Sequence, residues 1–395
     1  MKTLTLRFSL FIGCILLSLI KLSAGNGVPP LPVNQGVSAP FAGTAGHWLI
    51  VGGGCNFPDC PAAEGGVKQY YQEVYGLNLN DPQGGWKRIG QLPEPVAYGA
   101  TLSEGDNLYF IGGENRNGKL KTAYQLVFDP DSCQLHLFRL PDLPERMAQL
   151  SGTAIGKQLY VTGGDQETGG NHLYTIDLEK ESAQWEKRAA YPGPSRLQSI
   201  VLGNGKDRLF LTGGYQPARS GAESQLSYDI LCYHLTQDKW EVLTSLPSDS
   251  SQIPRCLAGG SGVCWNQRLI LTGGVNSRIF KNALDGKAPK DYLKKPVDWY
   301  RFNDDVLFVA FHAAGGFAHR ANRDAFGEGE AHAGSDHLIT RTRQGIIRQV
   351  VHAAERRAVH AERTAVEADV VIPGLAPVAV RIVLIIDLAL AVLFL

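Results

Sequence analysis

The sequence has no excess of charge of either sign, and this excludes one large class of functions. It carries 38 Lys and Arg residues against 38 Asp and Glu residues, and only 19% of its 395 residues are charged. A protein that binds nucleic acid through its phosphates needs a basic surface. We therefore expect no nucleic-acid partner.

The sequence also has no Cys-x-x-Cys pair, the spacing typical of structural zinc sites. Six cysteines follow residue 24: Cys55, Cys60, Cys133, Cys232, Cys256 and Cys264. Cys55 and Cys60 flank a short loop that a disulfide would close. Buried free thiols are the alternative, and we favour it for most of the six. We expect no metal and no cofactor.

Apolar runs long enough to span a membrane are missing as well. A charged start, an apolar run over residues 8–20 and small residues after it predict a signal peptide over residues 1–24. The final apolar run, residues 382–395, is short and contains Asp387. We expect an exported, periplasmic protein with no stable membrane span. A lipoprotein attached through Cys14 is the alternative.

What the sequence does contain is a repeat. Apolar β-like runs end in glycine pairs beginning at Gly52, Gly112, Gly163, Gly213 and Gly273, about 50 to 60 residues apart. A second mark stays in phase with the pairs, because Trp86, Trp185 and Trp240 each stand seven residues before a proline. A period near 50 with a glycine pair after a strand is typical of kelch propellers, with one blade per repeat.

We therefore predict an all-β protein, a kelch-type β-propeller over residues 30–309. Each unit would contain four antiparallel strands, a to d from the centre outward, and would bury its faces against its neighbours. Five blades are recognisable and six are expected. The segment "PLP", residues 30–32, resembles the end of a d strand, so the outer strand of a sixth unit would meet the N-terminal segment.

The chemistry of the chain changes after Val309. Residues 310–395 contain no Lys, Trp, Tyr or Cys, but nine Arg and six of the ten His. A histidine-rich metal tail lacks a repeated ligand spacing, and an accessory helix over residues 341–369 is a further alternative. The interpretation we favour is a frame change in the coding sequence near residue 309. Residues 310–369 then form an anomalous tail, and residues 370–395 an apolar terminal segment.

Strand polarity places the candidate site residues. In a four-stranded blade the b–c and d–a loops emerge on the same face, around the central funnel. Arg146, Arg196 and Arg255 follow the prolines, and guanidinium groups bind planar oxyanions bidentately. Ion pairs with loop acids are the alternative for each arginine. Asn56 and Glu114 follow glycine pairs, and the Glu114 carboxylate is a candidate for proton transfer, with turn capping or a salt bridge as its alternative.

The segments "GGGCNFPD", "GGENRNGK" and "LTGGVNSRIFKNALDG" resemble the N-acetylneuraminate epimerases, or sialic acid mutarotases, over roughly residues 38–308. The order of blades is cyclically permuted relative to the best-known members. The resemblance implies an exported six-bladed propeller and an isomerase that interconverts the α and β anomers of sialic acid by ring opening. It also implies an arginine that holds the substrate carboxylate.

One departure limits what the resemblance transfers. The family's proposed catalytic acid and arginine lie in a "GE.KPG.R" segment, one blade after "GGVN..IF". That blade would fall at about residues 310–370, where "GEGEAH" at residues 327–332 does not match. No residue of this chain can be assigned those two roles, so the chain is predicted to be inactive or weakly active. Glu114 occupies an analogous position in another blade.

Three other functions compete with the mutarotase. A non-catalytic kelch module that binds carbohydrate or protein is favoured by the broken sixth unit. A sialidase would combine a six-bladed propeller with arginines, but its "S.D.G.TW" boxes are absent. A copper oxidase would need histidine and tyrosine ligands near the funnel, and only His47, His136, His172 and His234 precede the tail.

Overall fold

The computed structural model describes residues 28–219, 221–249 and 251–311, together with the backbone of residues 366–367 and 383–384. Nearly all regular structure in these residues is antiparallel β-sheet. The predicted signal peptide, Cys14, residues 327–332 and nearly all of the tail after residue 311 lie outside the described residues. In the described part, no helix has the length and apolar character needed to cross a membrane.

Five antiparallel sheets follow one another along the chain and are called blades 1 to 5. In each blade every strand pairs with the next strand of the same sheet in chain order. Blade 1 contains β1 (Phe41–Ala45), β2 (Trp48–Gly52), β5 (Glu73–Asn78) and β6 (Lys87–Gln91); blade 2 contains β7 (Ala100–Glu104), β8 (Asn107–Ile111), β11 (Ala123–Asp129) and β12 (Gln134–Arg139). Blade 3 contains β13 (Met147–Ile155), β14 (Gln158–Gln166), β15 (Leu173–Asp177) and β16 (Glu186–Arg188); blade 4 contains β17 (Ile200–Gly203), β18 (Arg208–Thr212), β21 (Asp229–His234) and β22 (Lys239–Ser245). Blade 5 has three described strands, β24 (Ser261–Trp265), β25 (Arg268–Thr272) and β27 (Val306–Ala310).

Two-stranded ribbons, one helix and four 3₁₀ turns make up the rest of the described regular structure. The two-residue strands pair as β3 (Cys55–Asn56) with β4 (Gln69–Tyr70), β9 (Glu114–Asn115) with β10 (Gly118–Lys119), β19 (Tyr215–Gln216) with β20 (Gln225–Leu226), β23 (Arg255–Cys256) with β26 (Val275–Asn276), and β28 (Val366–Glu367) with β29 (Val383–Leu384). Asn276 caps the N-terminus of helix α1 (Ser277–Leu284), because its side chain accepts a hydrogen bond from the Ile279 amide. Single 3₁₀ turns cover Ala62–Glu64, Pro82–Gly84, Tyr292–Lys294 and Val297–Tyr300.

The hydrophobic core lies between neighbouring blades. The innermost strands pack in succession, β1 on β7, β7 on β13, β13 on β17 and β17 on β24. Ile50 of blade 1 and Phe110 of blade 2 share one apolar cluster, and Leu102 of blade 2 and Leu159 of blade 3 share the next. The first and last described blades also approach each other, since Lys294 Nζ in the connection of blade 5 lies 3.5 Å from Glu64 Oε1 in the connection of blade 1. Sheets that bury both faces in this way are propeller blades, so the predicted fold class is confirmed.

A chain of backbone hydrogen bonds joins the inner ends of the blades. Its members are Ala39, Tyr98, Gln149, Gln198 and Gly259, which lie just before each inner strand or within it, and we call them the inner girdle. Each has a left-handed φ, between 50° and 70°. Each amide after the first donates to the carbonyl of the preceding member, at 2.7 to 3.0 Å. Four of the five members carry a side chain, and a left-handed φ is strained in such residues. The strain persists only where the surrounding structure fixes the backbone, so the backbone around the axis is tightly constrained.

The tryptophans of the repeat join a blade to the preceding one through a hydrogen bond. The indole Nε1 of Trp185 donates to Pro141 O and that of Trp240 donates to Ala189 O, both at 2.8 Å and both just after the outer strand of the preceding blade. In blade 1, Trp86 donates in the same way to Pro29 O at 2.7 Å. The N-terminal segment therefore stands where the sequence predicted, at the position of the end of a preceding outer strand.

The glycine pairs follow the second strand in blades 2, 4 and 5, while in blade 3 strand β14 continues through Gly163 and Gly164 to Gln166. In blade 1 the pair lies one residue later than the sequence suggested. Gly53 and Gly54 have φ of 66° and 93°, like the pairs of the other blades, whereas Gly52 is part of β2 and pairs with Phe41. A Cβ on Gly53 would lie 2.4 Å from Val96 O. The pair is thus required both for its left-handed conformation and for the close approach of the neighbouring d–a loop.

We expect Gly53→Ala to lower the free energy of unfolding by about 2 kcal/mol, because it combines a left-handed alanine with a backbone clash. Gly105→Ala is the matched control, since Gly105 is also left-handed, with φ of 57°, but a Cβ added there would meet nothing within 4 Å. It should cost about 1 kcal/mol. Urea unfolding measures both, and equal losses would show that the close approach is unimportant.

Candidate functional site

The site is built on the residue that follows each glycine pair, beside the inner girdle. These five residues are Cys55, Glu114, Asp165, Tyr215 and Val275. Each forms an antiparallel bridge with a residue in, or shortly before, the inner strand of its own blade. In blade order these partners are Ser38, Ala97, Ala148, Leu197 and Cys256. The fold therefore brings one side chain per blade to the same end of the axis, and their types differ from blade to blade.

Between blades 1 and 2 five polar side chains form what we call the Glu114 cluster: Cys55, Lys68, Tyr70, Tyr98 and Glu114. The Tyr70 hydroxyl donates to Glu114 Oε1 at 2.9 Å. Lys68 Nζ lies 5.1 Å from the centre of the Tyr98 ring and 6.0 Å from that of Tyr70. The cluster thus contains a carboxylate, two phenols and an ammonium group. A carboxylate can accept a proton from a ligand, and an ammonium group can bind an anionic one.

Burial controls the protonation of this cluster. It raises the pKa of the Cys55 thiol to about 11, against a smaller opposing effect of the Lys68 charge. Burial, with the negative charge of Glu114 second, raises the pKa of Tyr70 above its usual range. Burial also raises the pKa of Tyr98. These three groups therefore remain protonated at neutral pH, so they act as hydrogen-bond donors and Cys55 does not act as a thiolate nucleophile.

The polar lining continues across blades 3 and 4. The Asp165 carboxylate lies 3.0 Å from Lys119 Nζ and 3.7 Å from Arg219 Nη2, so two cations compensate its charge. Gln149 and Gln198 of the inner girdle join their amide side chains at 3.1 Å. The residues near the axis therefore include neutral amides and phenols, and the charged groups named here come from blades 1 to 4.

Asn56 has a different position from that of Glu114, because of the one-residue shift of the glycine pair in blade 1. Its amide nitrogen donates to Asn34 O at 2.9 Å and to Gly36 O at 2.6 Å. Its side-chain oxygen accepts from the Tyr71 hydroxyl at 2.7 Å. With its polar atoms engaged and only 5% of its surface exposed, Asn56 holds the N-terminal loop against β3.

Arg196 and Arg255 occupy one equivalent position in blades 4 and 5, and each pairs with an acid. Arg196 Nη1 lies 2.8 Å from Asp229 Oδ1. Arg255 binds Asp305 through Nε at 3.3 Å and through Nη2. Both arginines are buried, and the same position holds Val37, Val96 and Met147 in blades 1 to 3. These contacts correspond to the ion-pair alternative. The two arginines also stand where blades 1 to 3 have buried apolar side chains.

Arg146 lies outside this core. Its side chain is 57% exposed and Nη1 is 3.2 Å from Glu167 Oε1. The structure therefore does not bring Arg146, Arg196 and Arg255 together as one cationic group. That one of them binds the substrate carboxylate stays a prediction, but all three already have a carboxylate partner.

Sequence reasoning did not anticipate a buried carboxylate in blade 3. Glu145 accepts hydrogen bonds from the Thr168 amide and hydroxyl at 2.8 Å and from the Tyr174 hydroxyl at 2.7 Å, and lies 3.0 Å from His172 Nδ1. These donors hold the pKa of Glu145 at about 2 although burial acts to raise it. Lys187 Nζ lies 2.8 Å from His172 Nε2, so the group is a saturated network that ties the blade 3 loops together.

The six cysteines of the described residues are free thiols, of which Cys55, Cys232 and Cys256 are buried and the other three are partly buried. Cys232 stands with His234 and Glu241 on blade 4, and one ligating atom from each lies within 4.8 Å of the others. His234 Nε2 is 2.8 Å from Glu241 Oε1, which already pairs the two polar residues. The strand pairing creates this group, since Cys232 lies opposite Glu241, and no Cys-x-x-Cys spacing would reveal it.

Comparison with known proteins agrees with the fold and points to one family. The curated relatives include N-acetylneuraminate epimerases from Haemophilus influenzae (strain 86-028NP), 37% identical over 181 residues, and Salmonella enteritidis PT4, 38% identical over 182 residues. These alignments cover 42% and 43% of this chain and 45% and 44% of the relatives, so the chain spans less than half the length of the curated relatives it matches.

A solved structure described as "Structure of YjhT" superimposes with a TM-score of 0.54, at 16% identity, over 71% of this chain and 83% of that one. It supports the propeller fold alone. The family model for N-acetylneuraminate epimerase matches residues 18–135 and 140–314. Because that match takes in well over half of the sequence, the chain belongs to the N-acetylneuraminate epimerase family.

Proposed function

We propose that this protein binds an acidic sugar of the sialic acid class at the inner girdle and interconverts its α and β anomers. Family membership and the names of the relatives support the substrate and the reaction. The observation that carries the proposal in this chain is the pair formed by Tyr70 and Glu114, a carboxylate oriented by a phenol at the end of the axis. No metal or cofactor is needed for the reaction.

The chemistry is a balanced ring opening and closure. The Glu114 carboxylate takes the proton of the anomeric hydroxyl, the bond from the anomeric carbon to the ring oxygen breaks, and a general acid protonates that oxygen. Rotation about the next carbon–carbon bond and the reverse steps give the other anomer. Tyr70, protonated at neutral pH, holds the carboxylate oxygen in place and serves as a positioning residue.

The second candidate function is a non-catalytic kelch module that binds an acidic carbohydrate or a protein. It is favoured by the end of the family match at residue 314, close to Val309, where the composition of the chain changes. The family's acid and arginine segment would follow that point. The mutarotase proposal therefore assigns this chain a slower reaction than that of a family member whose sixth blade carries the segment.

We further propose that the protein is exported to the periplasm through a signal peptide over residues 1–24, with attachment through Cys14 as the alternative. The charged, apolar and small-residue pattern of that segment supports export. Mass spectrometry of the mature N-terminus distinguishes the two. A lipid-modified Cys14 supports the alternative, and an intact Met1 in the cell contradicts both.

The Glu114→Gln variant should slow the conversion of freshly released α-N-acetylneuraminate by at least about tenfold, because an amide cannot accept the proton. Binding of the sugar should change little. Proton NMR follows the two anomers directly. Glu104→Gln is the control, since Glu104 ends β7 at the opposite end of blade 2. Equal rates in the wild type and Glu114→Gln would overturn the catalytic role of Glu114, and a wild-type rate no faster than the uncatalysed one would leave only the binding-module proposal.

A further inference from the structure

Lys68 combines partial burial with the lack of a counter-ion, whereas the unpaired Arg116 and Arg278 at this end of the blades are exposed. At this end of the blades Lys119 pairs with Asp165 at 3.0 Å, and Arg146 pairs with Glu167 at 3.2 Å. Among the described residues no carboxylate oxygen lies within 4.0 Å of Lys68 Nζ. An ammonium group that is half-buried and uncompensated attracts an anion, because its charge is poorly screened by water.

The residues around Lys68 restrict its conformation before a ligand binds. The preceding loop is closed by a 3₁₀ turn, Ala62–Glu64, which ends at Gly65 in the left-handed conformation. A Cβ on Gly66 would lie 1.9 Å from Cys60 O, so the chain is compact there. The ammonium group then rests near the Tyr70 and Tyr98 rings, whose faces attract cations. Little ordering is left to occur when an anion arrives.

The place of Lys68 relative to Glu114 matches one chemical class of substrate. In a 2-keto sugar acid the anomeric carbon carries both the hydroxyl and the carboxylate, so the groups that recognise them must be neighbours. Lys68 and Glu114 lie on either side of Tyr70, since Lys68 Nζ is 6.0 Å from the centre of the Tyr70 ring and Glu114 accepts a hydrogen bond from the Tyr70 hydroxyl. A neutral aldose has no carboxylate at its anomeric carbon and would leave Lys68 uncompensated.

We propose that Lys68, rather than Arg146, Arg196 or Arg255, binds the carboxylate of a 2-keto sugar acid and sets the specificity of the site for acidic sugars. This inference rests on the proposed function and deepens it. In the bound state the carboxylate lies over the Lys68 side of the cluster. The anomeric hydroxyl then faces Glu114, whose negative charge repels the opposite orientation.

The test compares a charged ligand with its neutral analogue in the full chain. Lys68→Met should weaken binding of N-acetylneuraminate by about 10- to 100-fold, the usual loss for one charge-assisted contact. It should leave binding of N-acetylneuraminate methyl ester within about threefold. Lys68→Arg should retain most of the affinity. Lys121→Met is the control, because Lys121 is an exposed cation at the same end that pairs with Asp142 at 3.6 Å. Calorimetric titration supplies the affinities, and circular dichroism checks the fold of each variant.

The outcomes separate this inference from the proposed function. Conversion of anomers by the wild type with equal acid affinity in Lys68→Met overturns the role of Lys68 and leaves the mutarotase standing. Lys68-dependent binding of 3-deoxy-D-manno-oct-2-ulosonate, another 2-keto sugar acid, without binding of N-acetylneuraminate, overturns the sialic acid substrate and supports the anion site. Binding of neither sugar acid by the wild type overturns the anion site, and so does an equal loss for the acid and its methyl ester.

Discussion

Replacement of Arg196 by alanine is expected to lower the free energy of unfolding by about 3 to 4 kcal/mol. Arg196 is only 1% exposed, and its guanidinium group holds Asp229 through contacts of 2.8 and 3.1 Å. Its removal leaves a cavity between blades and a carboxylate without a partner, the combination that makes broken buried ion pairs costly. We expect a loss near the lower end of the range for broken buried ion pairs, because the Asp229 side chain is 30% exposed and water can partly solvate its carboxylate.

Two further variants show whether the loss comes from the unpaired acid. Arg196→Met with Asp229→Asn removes both charges and places at 196 the residue type that blade 3 uses at Met147, so it should recover more than half of the loss. Arg146→Ala, at an exposed pair, should cost less than about 1 kcal/mol. Urea unfolding followed by tryptophan fluorescence gives all three values. A loss in Arg196→Ala no larger than that in Arg146→Ala would contradict a core role for Arg196.

The fold was predictable from the sequence because its marks are local. A glycine pair after an apolar run requires no knowledge of distant residues, and the tryptophans recur at a fixed offset from a proline. Trp185 and Trp240 then make the same hydrogen bond in successive blades. Even the placement of residues 30–32 as the end of an outer strand followed from this repeat, as the Trp86 contact shows.

The side-chain partners were not predictable in the same way, because they join residues far apart in sequence. The pattern placed Arg196 near the funnel, but nothing local revealed that Asp229, 33 residues later, binds it. Lys68 lies in a connection of irregular length and carries no repeat mark. The third glycine of blade 1 also hid the register, so Asn56 was aligned with Glu114 although Cys55 is the equivalent residue.

The inner girdle illustrates a further limit. Tyr98, Gln149 and Gln198 have left-handed φ, a conformation in which asparagine and glycine are the usual residues. Hydrogen bonds between neighbouring blades stabilise this conformation, and those bonds exist only once the blades are assembled. The sequence therefore predicts that an axis exists, whereas the strained residues that line the axis become identifiable only in the folded protein.

The described blades define what a sixth one would have to supply. Ala39 and Gly259 are the two ends of the inner girdle among the described residues, and β27 is the outermost described strand of blade 5. A continuation that donates from its own girdle residue to Gly259 O and accepts from the Ala39 amide would follow the existing pattern. It would also bring its b–c loop, the place of the family's acid and arginine segment, to the same end as Glu114.

On the frame-change interpretation, a chain read in the alternative frame after codon 309 is expected to interconvert the anomers of N-acetylneuraminate about 10²- to 10⁴-fold faster than the chain as it stands. That factor is the usual contribution of a positioned general acid or base. The corrected reading should contain a tryptophan, a Leu-Pro mark and a Gly-Gly-Glu segment in phase with the other blades. Proton NMR of freshly released α-anomer measures the rates, and Glu114→Gln in both chains separates the contribution of Glu114 from that of the restored segment. Equal rates in the two chains would show that the restored segment carries no catalytic group, and Glu114 with its neighbours would then account for the whole activity.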